Sequence, residues 1–329
     1  MAAAIPVLLK TWLCLAFVLT VMADVILGDD DAPQAASEKG DSSLPWSDFR
    51  LPKSLLPMKY IVKLHPNISK STFRGRVTMR LQVMASTDLI VFHAHKLKLC
   101  VKNVQYCKDA RIGVKKTGYI EKLEMFYIKL SRPLCVDTIV DVDMSFKGSI
   151  SPEAVGLFKT TYSHQSSDNS DPTEQVNAAV ATQMQPIYAR RVFPCMDEPS
   201  FTAAFEISII REKHYSSLSN TALVSTTDAS ASCHGCVMDK FAKTPDISPH
   251  LVAMVVFENK AKITEMSGDY PINVFETTPK LPGYRNNIVN TAVRVFNFVK
   301  NYLDISEPPF KYVSEDGFGP FAYLFRLYS

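Results

Sequence analysis

The sequence has no marked excess of either charge. Its 36 Lys and Arg stand against 33 Asp and Glu, a formal net charge of +3 over 329 residues, and the two signs are interspersed. A chain without a basic patch is not built for nucleic acid. Internal repeats are absent, and after residue 27 no segment is apolar enough to cross a bilayer. One C-x-x-C is present, Cys233-His234-Gly235-Cys236, with no second one to complete a four-cysteine metal site. No βαβ pattern surrounds it, so a thioredoxin-like context is missing too. A local disulfide in a hairpin loop, or two thiols pairing elsewhere, is the expected role of Cys233 and Cys236.

The N-terminus carries the one long apolar run. Lys10 precedes Thr11 to Val21, and the small residues around Val21-Met22-Ala23 suit signal peptidase. Residues 1–23 therefore read as a signal peptide, with a signal anchor over 2–27 as the alternative. Either one directs the chain into the secretory pathway: extracellular, in the endoplasmic reticulum lumen, or attached to a membrane surface. Cys14 lies in this segment, and the remaining six cysteines allow 15 pairings. Asn67-Ile68-Ser69 is the only glycosylation sequon and makes Asn67 the expected glycan site.

Residues 24–45 are acidic, small and Ser/Pro-bearing, the composition of a flexible linker. From Trp46 the dominant period is two. Phe73, Val77, Met79, Leu81 and Val83 alternate with Arg74, Arg76, Thr78, Arg80 and Gln82. Val140 to Phe146 and Phe201 to Ile209 alternate likewise, and shorter runs add strands near Tyr60–Leu64, Ile90–His93, Phe126–Leu130 and Leu251–Phe257. An antiparallel β domain over 46–258 is expected, with a polar loop from Ser163 to Asn177. Helical spacing takes over at Ile288, Ala292, Val295, Phe296, Val299 and Leu303, and the apolar face of that helix needs a partner.

The densest stretch is TQMQPIYARRVFPCMDEPSF, residues 182–201. Pro194 and Pro199 bar helix at Phe193 and Glu198. Arg190 and Arg191 lie within turn reach of Asp197 and Glu198, so an Arg–carboxylate fork is expected to lock such a corner. Gln183 and Gln185, two apart on an extended segment, point the same way. Their amides suit a peptide backbone or amino group, or else a plain wet face. His93-Ala94-His95 places two imidazoles on one strand face and is read as structural.

This stretch, with the segments around it, resembles the aminopeptidase N family of zinc exopeptidases. VGLFKTTY, SLSNTALV and KTPDISPHLVAMVV resemble further family segments in the same order, and the likeness runs from about Trp46 to Pro308. The resemblance implies a mainly β chain: a saddle-shaped antiparallel β N-terminal domain, then the incomplete start of an α+β thermolysin-like catalytic domain over 259–329. It implies that Gln183 and Gln185 contact substrate, the second near the free α-amino group. It also makes Arg190, Arg191, Pro194, Cys195, Asp197, Glu198 and Pro199 a structural signature, with Met196 where an aromatic is usual.

Catalysis in that family requires zinc held by H-E-x-x-H, and a G-A-M-E-N segment for the substrate amine. None of the seven histidines here is followed by Glu, and none has His four positions on. The expectation is the N-terminal portion of a secretory-pathway zinc aminopeptidase, with no catalytic residue, metal ligand or cofactor of its own. The expected partners are peptide N-termini, weakly held, and a full-length aminopeptidase. The alternative is a non-catalytic peptide-binding or regulatory module.

Overall fold

A computed structural model describes residues 46, 48–106, 111–164, 175–258, 261–267, 270–276, nine positions within 290–302, 310–313 and 323–326. The expected signal peptide and linker lie outside the described residues. The described residues from 48 onward form one compact unit. Among the described residues no helix is long and apolar enough to cross a membrane.

The alternating runs become strands. The largest sheet has seven: β1 (Leu55–Asn67), β2 (Thr72–Val83), β4 (Lys98–Tyr106), β7 (Ile139–Ser149), β10 (Ala204–Glu212), β12 (Leu223–Asp228) and β13 (Cys236–Phe241). They lie in the order β12-β13-β10-β1-β2-β7-β4. Every neighbouring pair is antiparallel except β1 and β10, which run parallel with Tyr60 opposite Phe205. The sheet is antiparallel as expected but for this one pair. Periodicity reports which residues share a face but not strand direction, and a long crossover separates β1 from β10.

One face of the sheet is sealed. Tyr60, Val62, Val77, Met79, Leu81, Val142, Met144, Phe205 and Ile209 have no exposed surface. Fully burying a side chain of this size contributes about 1.5–3 kcal/mol. The other face is wet and carries cross-strand ion pairs, with Arg80 gripping Asp141 through two nitrogens and Lys59 meeting Glu206. Gly75 and Gly148 sit on the sealed face opposite Phe146 and Phe73, whose rings cover them at an edge-on angle to each other.

A second sheet orders β11 (Ser216–Ser219), β14 (Met254–Phe257), β9 (Gln175–Gln183) and β8 (Gly156–His164). Here the Ser163–Asn177 loop expectation needs correction, because β8 continues to His164 and β9 starts at Gln175. The polar residues of this hairpin carry no apolar alternation, so period two was invisible. Phe158, Ala179, Ala181, Leu218, Val255 and Phe257 form its apolar cluster.

A third sheet pairs β6 (Met125–Leu134) with β3 (Thr87–His93) and β5 (Val114–Ile120). Hairpins β15 (Ala261–Ser267) with β16 (Tyr270–Glu276), and β17 (Phe310–Val313) with β18 (Tyr323–Arg326), lie beyond. The described positions of 290–302 are helical, and Val295, Phe298 and Tyr302 there are exposed.

Candidate functional site

Strand β9 carries the chain to the candidate site. Thr182 and Met184 are buried, Gln183 between them is half-buried, and Gln185 is exposed at the start of a turn. Burial of Met184 holds its two glutamine neighbours away from the core. The Gln185–Pro186 peptide bond is cis.

The turn runs into a single 3-10 turn, Ala189–Arg191, whose successive side chains point about a third of a revolution apart. Arg190 is therefore buried while Arg191 faces outward. The Arg190 Nε donates to Asp197 Oδ2 at 3.0 Å, its backbone N–H meets the same oxygen, and Nη1 reaches Glu124 at 3.2 Å. Arg191 pairs with neither acid and lies over the Tyr188 ring at 5.0 Å. Glu198 also departs from the expected fork: it accepts from the Leu51 backbone N–H and from Arg50. So the Arg–carboxylate contact that braces the corner is made by Arg190 with Asp197 alone, because the tight turn cannot send two adjacent arginines inward.

The corner is further pinned from distant strands. Cys195 exchanges backbone hydrogen bonds with His93, and the Asp197 N–H donates to His93 Nδ1. Met196 N–H donates to the Tyr60 hydroxyl, whose ring stacks on Phe205 at 4.9 Å. Phe193 packs edge-on against both rings. Pro194 is buried and Pro199 exposed. Burial pushes the Asp197 carboxyl above its ordinary pKa even beside Arg190, and Asp197 Oδ1 is buried with no hydrogen-bond partner among the described residues. Burial likewise pushes the Cys195 thiol well up, so this free cysteine is held as an unreactive thiol. Burial and the Arg190 charge bring His93 down to about 3, which keeps its ring neutral.

These side chains position backbone: Asp197, His93 and Tyr60 each accept from a backbone N–H of the corner. Tyr60, His93, Glu124 and Arg50 had no local sequence signal for this role, since their partners lie far along the chain. The two imidazoles of His93-Ala94-His95 have separate partners, because His95 Nδ1 pairs with Glu124 Oε1 at 2.8 Å. Among the described residues the one group of three candidate metal ligands is His65, Cys233 and Cys236, and its two cysteines are joined as a disulfide. Asn67 ends β1 on the surface, and its side-chain oxygen accepts from the Lys70 N–H.

Residues 56–251 match the Peptidase M1 N-terminal domain, from β1 to the 3-10 turn before β14. Over 280 residues the chain is 28% identical to endoplasmic reticulum aminopeptidase 1 of Homo sapiens, covering 84% of this chain and 28% of that protein. It is 28% identical to aminopeptidase N of Mus musculus over 281 residues, covering 82% and 28%. Against endoplasmic reticulum aminopeptidase 2 of Bos taurus the identity is 26%, covering 80% and 27%. The matched region thus spans less than a third of the length of these relatives.

Proposed function

Since the chain belongs to the M1 peptidase family through its N-terminal domain, we propose that it serves as the substrate-facing β portion of a secretory-pathway aminopeptidase. In this reading Gln183 and Gln185 form one wall of a cleft for a peptide's free N-terminus. The amide oxygens accept from the substrate ammonium, and the amide NH2 groups donate to the first peptide carbonyl. Neutral amides do this without holding a second charge that must be desolvated.

The observation carrying the proposal is the half-buried and exposed pair of glutamines around buried Met184, on a segment fixed by the Arg190–Asp197 corner. The relatives named for the endoplasmic reticulum, and a disulfide among the described residues, support the secretory setting. Zinc chemistry belongs to the family, and we assign none of it to these 329 residues: the histidines lack H-E-x-x-H, and His93 and His95 have other partners.

Titration of the 329-residue chain with a short peptide tests the reading. The free-amine form should bind weakly, the acetylated form more weakly still, and a Gln183→Ala/Gln185→Ala variant should treat the two alike. Equal binding of both forms by the unaltered chain would remove the glutamines from this role. Hydrolysis of an amino-acid anilide with stoichiometric bound zinc would refute the assignment of no catalysis to this chain.

A further inference from the structure

Away from the corner, three parts of the chain converge at the far end of the seven-stranded sheet. His65 on β1 and Arg74 on β2 are cross-strand partners, and Cys233 lies in the turn before β13. Gly235, at a φ of +71°, supplies the left-handed residue that closes this turn. Arg74 Nη2 donates to the Ser232 carbonyl at 2.8 Å, and its Nε donates to His65 Nδ1 at 3.2 Å. A ring that accepts at Nδ1 and is neutral carries its proton on Nε2. That nitrogen lies 3.4 Å from Cys233 Sγ, so the N–H points at sulfur. Its lone pair is not offered to a metal, which separates this arrangement from a zinc cage.

The two sulfurs differ in access. Cys236 is wholly buried against Ile210 and Ala229. Cys233 is half-buried and lines an open cavity of about 570 Å³. Arg74, Lys147 and Lys98 line the same cavity and face one another directly across β2, β7 and β4. Like charges in register oppose sheet formation, and an anion between them relieves the repulsion. Glu212 is the one acidic group in the lining.

We propose that Cys233–Cys236 is a thiol–disulfide exchange site for small anionic thiols and their disulfides. The reduced Cys233 thiolate is stabilised by the His65 N–H and the Arg74 charge. It attacks one sulfur of an anionic disulfide, forms the mixed disulfide and expels one thiolate. Cys236 then gives its proton to solvent, attacks the Cys233 sulfur and expels the second thiolate. Two electrons pass from the protein dithiol to the small disulfide, and reduction by two thiolates is the reverse. The cationic lining raises the local concentration of the anionic reactant, while burial of Cys236 directs that reactant to Cys233.

The test compares glutathione, which is anionic, with cysteamine, which is cationic, as reductants of the oxidised 329-residue chain at matched thiolate concentration. Alkylation and peptide mass spectrometry follow the 233–236 segment by itself. Glutathione should react faster by about tenfold or more. High salt and a Lys98→Gln/Lys147→Gln variant should each collapse that ratio, while both reagents still reduce the bond. His65→Leu should slow reduction by both reagents, and His65→Gln, which keeps an N–H donor, should recover much of the loss. Equal rates for the two thiols, or a disulfide that yields to neither until the chain is unfolded, would overturn the proposal.

Discussion

Arg190 Nε and Asp197 Oδ2 lie 3.0 Å apart, with the two side chains 10% and 1% exposed. They are seven positions apart in the chain, and the turn between holds Pro194 and the Cys195 bridge to His93. A buried pair of this kind is a poor source of net stability but a strong determinant of conformation, since removing one partner strands the other.

Arg190→Met should destabilise the domain by about 3–5 kcal/mol, read as a fall in the urea midpoint. The loss should be smaller at pH 5 than at pH 7. Burial already raises the Asp197 pKa, and without Arg190 it rises further. The native state then holds a proton that the unfolded chain releases, so lowering pH favours folding. An Arg190→Met/Asp197→Asn variant should recover part of the loss and lose that pH dependence.

His93 gives the opposite slope. Its pKa is about 3 in the folded chain against an ordinary 6.5, so between those values the unfolded state binds more protons. Its contribution is complete above pH 6.5 and is lost as pH falls towards 3. At pH 5 the loss is about 2 kcal/mol. Denaturation of the native chain and of His93→Asn at pH 7 and pH 5 should show the native chain losing more. Parallel shifts in the two proteins would contradict this origin.

Gly75→Ala should be destabilising out of proportion to its size. A Cβ there would come within 2.2 Å of the Phe146 ring and 2.7 Å of the Lys63 carbonyl oxygen. The ring can rotate away, but backbone two strands deep cannot. We expect a loss of about 1–3 kcal/mol, visible as a lower thermal midpoint. Unchanged stability would mean that β1 and β2 separate more readily than their pairing indicates.

The relation between sequence and structure is clearest in three places. β2, β7 and β10 are written in their own alternation, because a strand with one wet face must change polarity at every step. β8 and β9 beyond Thr161 carry no such pattern, and the polar tip of that hairpin reads as loop until its partner strand is known. The parallel placement of β10 beside β1 is likewise a property of the whole sheet, not of either segment.

The candidate site divides along the same line. The sequence by itself determined the β character, the rigid Pro194–Pro199 corner, and the nearness of Arg190 to Asp197, since each depends on local sterics or short separation. Tertiary structure decided that Arg191 turns outward, that Glu198 belongs to Arg50 and Leu51, and that Arg74 presents a His65 N–H to Cys233. Those pairings join residues that chain connectivity leaves far apart. Only the packing of strands fixes which of many possible charges and sulfurs share one dry or cationic volume.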